Sequence, residues 1–222
     1  IFENKLYSIA YGNPCAVHID PIEKKPLNHF LPSSLSYSIA TAGCNLKCLN
    51  CQNWSISQAS PRDTRNYDLM PPQVVEECLK SKCASISYTY SEPVTFFEYT
   101  YDTAKLAREK GLKNVMVTAG YINEKPLRQL CEVIDAANVD LKSFSDEVYM
   151  MLNAGKLLPV VGLAFVWNTI REQDMVTVGT TTPDEAREVI ELSLDFLDRR
   201  LPDNPLQQTR SKRSLSSPVT NG

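Results

Sequence analysis

Between residues 35 and 154 short apolar, β-prone runs alternate with longer stretches of helical periodicity, and this alternation restricts the fold more than any other feature. Residues 35–42, 84–90, 113–119 and 138–142 read as strands, and 71–82, 94–110, 124–137 and 145–154 as helices. Pro71-Pro72 suits a first helical turn, and Val74, Val75, Cys78 and Leu79 form the apolar side of that helix. Pro126 falls near the start of the third helix, Gly111 and Gly155 suit helix stops, and Ser145 suits an N-cap. Four strand–helix units in series imply a parallel sheet with right-handed crossovers, either an open sheet or part of a barrel. In both, ligands bind where the strands end. A run ending in Ala42-Gly43-Cys44 follows the first strand, Tyr90-Ser91-Glu92-Pro93 the second and Thr118-Ala119-Gly120-Tyr121 the third, while Asp140-Leu141-Lys142 closes the fourth. The chemically active side chains therefore share one rim.

The first of these rim segments carries Cys44, Cys48 and Cys51 in a C-x3-C-x2-C spacing. A closed zinc site takes four ligands, and an ordinary four-iron cluster takes four cysteines. Three cysteines on a four-iron cubane leave one iron open to another ligand. Two other readings exist. One is a three-cysteine zinc site completed by His18 or His29. The other is a helical packing stripe, because offsets of four and three share a helix face and free cysteine packs as a small hydrophobe. Gly43, Asn45, Lys47, Asn50, Gln52 and Asn53 surround the triplet with loop composition, which favours a loop folded around a bulky ligand.

The composition sets broad limits. The chain has 222 residues, 43% of them hydrophobic, enough for one large domain with a substantial core. A net charge of -3 offers no electrostatic case for nucleic acid or an anionic membrane as partner. The apolar run 157–167 is too short to span a bilayer, and no basic-then-apolar leader precedes Ile1-Phe2-Glu3. Seven cysteines with no regular disulfide framework fit reduced thiols and a cytoplasmic location. Cys15, Cys78, Cys83 and Cys131 read as packing residues, and His18 and His29 as ordinary polar side chains.

The cysteine spacing after a first strand resembles that of the radical S-adenosylmethionine (SAM) enzymes. More narrowly, the chain is similar to the radical SAM component of the AmmeMemoRadiSam system, related to the pyruvate formate-lyase activating enzymes. The narrower likeness rests on Glu23-Lys-Lys-Pro-Leu-Asn-His-Phe-Leu-Pro-Ser33, the cysteine run through Gln52-Asn53-Trp54, Tyr90-Ser91-Glu92-Pro93 and Val139-Asp140-Leu141-Lys142. It implies an α/β fold, a partial (β/α)6 barrel incomplete at its C-terminal end. Residues 1–33 form an N-terminal extension in this reading, 34–160 the core, 161–201 a divergent α/β segment and 202–222 a disordered tail. A helix is expected at 183–200. The resemblance also makes the chain a partial or divergent family member that begins inside the family's N-terminal segment.

The same resemblance implies a 4Fe-4S cluster on Cys44, Cys48 and Cys51, with SAM chelating the open iron. The reduced cluster then splits SAM to methionine and a 5′-deoxyadenosyl radical that takes hydrogen from a protein or small molecule. An electron donor is a required partner. Glu92, with the backbone around Ser91, is implied to meet the methionine ammonium, and Asp140 and Lys142 to face the SAM site from one side of a strand. The lesser reading of Glu92 is a solvated loop acid, and Asp140 with Lys142 could equally be a simple ion pair. Thr118 stands where it approaches the cofactor. Three positions depart from common superfamily patterns: Asn50 replaces an aromatic residue, Tyr90-Ser91 a glycine pair and Ala119 an asparagine. An inactive, cluster-binding partner or regulatory protein is the alternative function.

Overall fold

The computed structural model describes residues 3–4, 7–27, 29–142, 147, 149–153 and 176–178. All belong to one compact unit, Ile1–Thr180; a second unit, Thr181–Gly222, lies outside the described residues. The expected divergent segment at 161–201 lies outside them too, except for Val176–Val178, as do the helix at 183–200 and the tail at 202–222.

In chain order the elements are β1 (Ala16–Pro21), β2 (Leu35–Ala40), α1 (Trp54–Ser57), α2 (Pro71–Lys80), β3 (Ser85–Tyr88), α3 (Phe97–Glu109), β4 (Lys113–Thr118), α4 (Glu124–Val133), β5 (Ala136–Val139) and β6 (Val176–Val178). A 3-10 turn at Pro93–Phe96 leads into α3, and Tyr149–Asn153 forms a π-helical turn. The six strands lie in the sheet in chain order. β2 to β6 run parallel, and β1 pairs antiparallel with β2. This is the partial barrel expected from the alternation, with an added antiparallel edge. Pro21, which has no N–H to donate, ends that edge strand where a missing ladder bond is tolerated.

Alternation along the strands sends neighbouring residues into different core clusters. Tyr37, Ile39, Ile86, Tyr88 and Met116 share one cluster with Val74 and Cys78 of α2, Tyr99 and Ala104 of α3, and Leu127 and Leu130 of α4. Val115, next to Met116 and so facing the other way, joins Ala136, Ile22 and Leu27 with Phe30 packed alongside. The segment after β1 therefore fills the base of the partial barrel. β3 and β5 are buried along their whole length, as central parallel strands with both faces covered must be.

Three expectations need correction. The N-terminal extension contains β1, whose mixed polarity (Ala-Val-His-Ile-Asp-Pro) hid a strand. The third helix ends at Val133 instead of reaching 137, and the next strand is 136–139 instead of 138–142. Apolar residues run on through Ile134, Ala136 and Ala137 without a break, so periodicity alone misses the change. What ends the helix is tertiary: Asp135 is buried and accepts the Asn114 backbone N–H at 2.8 Å, with Arg108 at 3.2 Å and Lys113 at 3.1 Å. Of the helix expected at 145–154, the described residues are Glu147, which is α-helical, and the π-helical turn Tyr149–Asn153.

Candidate functional site

The loop after β2 turns at Gly43, whose φ of +111° is a region L-residues rarely enter. Its N–H donates to the Ile56 carbonyl at 2.9 Å, drawing α1 back against the start of the loop. The Cys51 N–H donates to the Cys48 carbonyl at 3.2 Å, and Gln58 Nε2 to the Leu46 carbonyl at 2.9 Å. Asn45 and Asn53, which sequence reasoning treated only as loop composition, are struts. Asn45 Nδ2 donates to the Tyr121 carbonyl at 2.8 Å and Asn53 Nδ2 to the Tyr90 carbonyl at 2.9 Å, fastening the cysteine loop to the loops after β4 and β3.

Cys44, Cys48 and Cys51 are half-buried and line one cavity of about 340 Å³. Cys44 Sγ accepts the Leu46 N–H at 3.4 Å, and Cys51 Sγ lies 3.2 Å from Ser57 Oγ. Burial pushes the Cys44 thiol up to about 11, so it stays protonated until a metal takes the place of its proton. Among the described residues no three His, Cys, Asp or Glu side chains converge to hold a single metal ion. Neither His18 nor His29 lines the cavity, so the arrangement does not assemble the three-cysteine-plus-histidine zinc site. A cubane binds each thiolate at a different corner and does not need the sulfurs to converge on a point. Soft thiolates on a pocket of cofactor size suit such a cluster.

The opposite wall of the cavity is Ser91, Glu92, Ala119, Asp140 and Lys142. Glu92 is not a solvated loop acid, being only 2% exposed. It accepts the Thr118 hydroxyl at 2.5 Å, the Ala119 N–H at 2.7 Å and, more loosely, the Val94 N–H at 3.3 Å. Thr118 thus acts on Glu92 and is absent from the cavity lining. Burial, aided by the charge of Asp140, raises the Glu92 carboxyl above its usual range against these hydrogen bonds. A cation in the cavity would relieve that cost. Ser91 Oγ donates to the Thr41 carbonyl at 2.7 Å, which holds the segment to the end of β2.

Asp140 and Lys142 lie beyond β5, so strand alternation does not explain their shared side. They are brought together by their own ion pair, Lys142 Nζ to Asp140 Oδ2 at 2.6 Å. Asn138 Nδ2 also donates to Asp140 at 2.8 Å, and the Tyr149 hydroxyl accepts the Lys142 N–H at 2.8 Å. Partial burial pulls the Lys142 ammonium down, but Asp140, Cys48 and Glu92 outweigh it and leave it above its usual value. Cys78, Cys83 and Cys131 are buried away from the cavity, as packing residues, and Cys15 is half-buried. The residue missed from sequence is Asp20 of β1. It is buried and bonded to Lys24 at 2.8 Å, Lys25 at 2.7 Å and the Tyr90 hydroxyl, and its one sequence signal is the pair of lysines four and five residues on, in the turn after β1.

Residues 38–160 match the model of the radical SAM superfamily, and the chain belongs to that family. Its members are enzymes that bind a 4Fe-4S cluster and SAM, and these are the cofactors of this chain. A curated relative, the uncharacterized protein MJ0808 of Methanocaldococcus jannaschii, is 46% identical over 156 residues, which make up 70% of this chain and 46% of the relative. The chain thus spans about half the length of the curated relative it matches. Among solved structures, Streptococcus suis SuiB bound to S-adenosylmethionine shares the fold with a TM-score of 0.50 at 18% identity, over 71% of this chain and 36% of that one. A structure of TYW1 with a lysine-pyruvate adduct bound overlaps less well, with a TM-score of 0.46 at 14% identity over 64% of this chain and 54% of that one. Among the described residues no helix is long and apolar enough to cross a membrane.

Proposed function

We propose that the chain is an activating-enzyme-like radical SAM protein, of the kind found in the AmmeMemoRadiSam system, that generates a 5′-deoxyadenosyl radical. One observation carries this reading: the three cysteines, a buried carboxylate and the Asp140–Lys142 pair line a single cavity at the strand ends. Cys44, Cys48 and Cys51 would hold the cluster. When bound, cluster and SAM together supply one-electron cleavage of the sulfonium, and the protein's part is to bind, orient and exclude water.

Glu92 would receive the methionine ammonium, its desolvated charge strengthening that contact. Thr118 and Ala119 donate to the carboxylate and so favour its charged form against the cost of burial. Ser91, tied to the end of β2, fixes the backbone beside it, while Asp140 and Lys142 would face the cofactor from just beyond β5. The hydrogen donor is a protein or a small molecule, and an external electron donor is required. The relation to enzymes that activate glycyl radical proteins supports a protein substrate.

The test is 5′-deoxyadenosine formation by anaerobically reconstituted protein given SAM and a strong reductant, beside a Cys44/Cys48/Cys51→Ala control. Cysteine-dependent product supports the proposal. No product from protein carrying its four irons would overturn it in favour of a cluster-binding regulator.

A further inference from the structure

Tyr90 has a φ of +65°, a backbone state that glycine enters freely and other L-residues rarely adopt. It stands two residues before Glu92. The chain holds this tyrosine from both ends. Its hydroxyl donates to Asp20, its ring lies 4.5 Å from the Lys25 ammonium and meets the edge of His18 at 5.6 Å, and its carbonyl accepts Asn53 Nδ2 at 2.9 Å. Lys25 is 1% exposed and bonded to Asp20 at 2.7 Å. A buried ion pair of this kind adds little stability in itself but makes a stiff anchor.

We infer that Asp20, Lys25 and Tyr90 form a positioning clamp, set by the antiparallel strand β1, that holds Ser91 and Glu92 in the geometry that receives the SAM ammonium. The inference rests on the assignment of Glu92 to that ammonium. Tyr90 is a positioning residue here: its phenol points to β1, and its backbone sets the course of the chain into Glu92. The clamp does with a side-chain anchor what glycine does through conformational freedom.

Alanine and glycine at position 90 remove the same phenol and differ in their tolerance of positive φ. The test measures SAM binding to reconstituted Tyr90→Ala, Tyr90→Gly, Tyr90→Phe and Glu92→Gln proteins, by calorimetry and by the change SAM makes in the EPR spectrum of the reduced cluster. Tyr90→Ala is expected to bind SAM about tenfold more weakly, and Tyr90→Gly to recover about fivefold of that loss. Tyr90→Phe, which lacks the hydroxyl alone, falls between wild type and Tyr90→Ala. If alanine and glycine bind SAM alike while Glu92→Gln binds poorly, Tyr90 is merely structural and the clamp is overturned. If Glu92→Gln binds SAM as tightly as wild type, the ammonium assignment is wrong and the clamp falls with it.

Discussion

At Glu92 a carboxylate sits in a buried wall with its oxygens facing donors from two segments, and that geometry makes its charge separable from its shape. In Glu92→Gln the amide oxygen can take the fixed Ala119 N–H and the amide nitrogen can donate to the Thr118 hydroxyl, while the long Val94 contact and the acceptor of the Thr118 hydroxyl proton are lost. The melting temperature is therefore expected to stay within a few degrees of wild type, while SAM affinity falls about 10- to 100-fold through loss of a charge-assisted bond. A large stability loss would show that Glu92 is chiefly a structural residue. Asp20 gives a pH prediction. Burial works against its charge, but hydrogen bonds from Lys24, Lys25 and Tyr90 outweigh it and hold the carboxyl well below the usual range. A depressed folded value stabilises the fold above the unfolded value of about 4, and this contribution fades as pH falls toward the folded one. Melting temperatures followed from pH 7 to pH 2 should drop more steeply in wild type than in Asp20→Asn. Parallel curves would show that the clamp carries no net charge coupling.

At the scale of elements, Asn114 of β4 joins more pieces than any apolar neighbour suggests. Its Nδ2 donates to the Ala104 carbonyl in α3 at 2.9 Å and to the Val133 carbonyl at the end of α4 at 3.1 Å, and Tyr88 of β3 donates to its Oδ1 at 3.2 Å. Asn114→Ala leaves these buried groups without partners, at an expected cost of about 2–4 kcal/mol in urea unfolding. The exposed Arg128–Glu124 pair of α4, though 2.6 Å long, is expected to contribute under about 1 kcal/mol. Equal losses for Asn114→Ala and Arg128→Ala would contradict this ranking. The same element explains where sequence reasoning slipped. Helix 71–80 is legible because two prolines open it and Val74, Val75 and Cys78 recur on one face. The end of α4 is not, because the donors that stop it, Asn114 and Lys113 of β4 and Arg108 of α3, lie far away in sequence.

For the whole molecule, the sheet keeps its strands in chain order, so every parallel crossover delivers a loop to the same rim. The strands beneath are buried and paired, whereas the cysteine loop is tied down by a few loop-to-loop bonds. Hydrogen exchange should accordingly be slowest in β2, β3 and β4. Residues 43–58 should exchange fast in cluster-free protein and slow markedly once the cluster is loaded. Slowing confined to regions away from this loop would place the cluster elsewhere.

The alternation of strands and larger helices from β2 to β5, the common rim and the cysteine triplet were legible in the sequence, because each depends on local periodicity or on spacing within one short segment. What only the tertiary structure decided is how separate segments act on one another. It turned Glu92 from a possible surface acid into a buried one by setting Thr118 and Ala119 against it. It showed that Asp140 and Lys142 meet past a strand end by pairing with each other. It brought Asp20 to Tyr90 across 70 residues of chain. Spacing reports what lies within a few residues, whereas burial and the pairing of charges depend on which distant segments the packed core brings into contact.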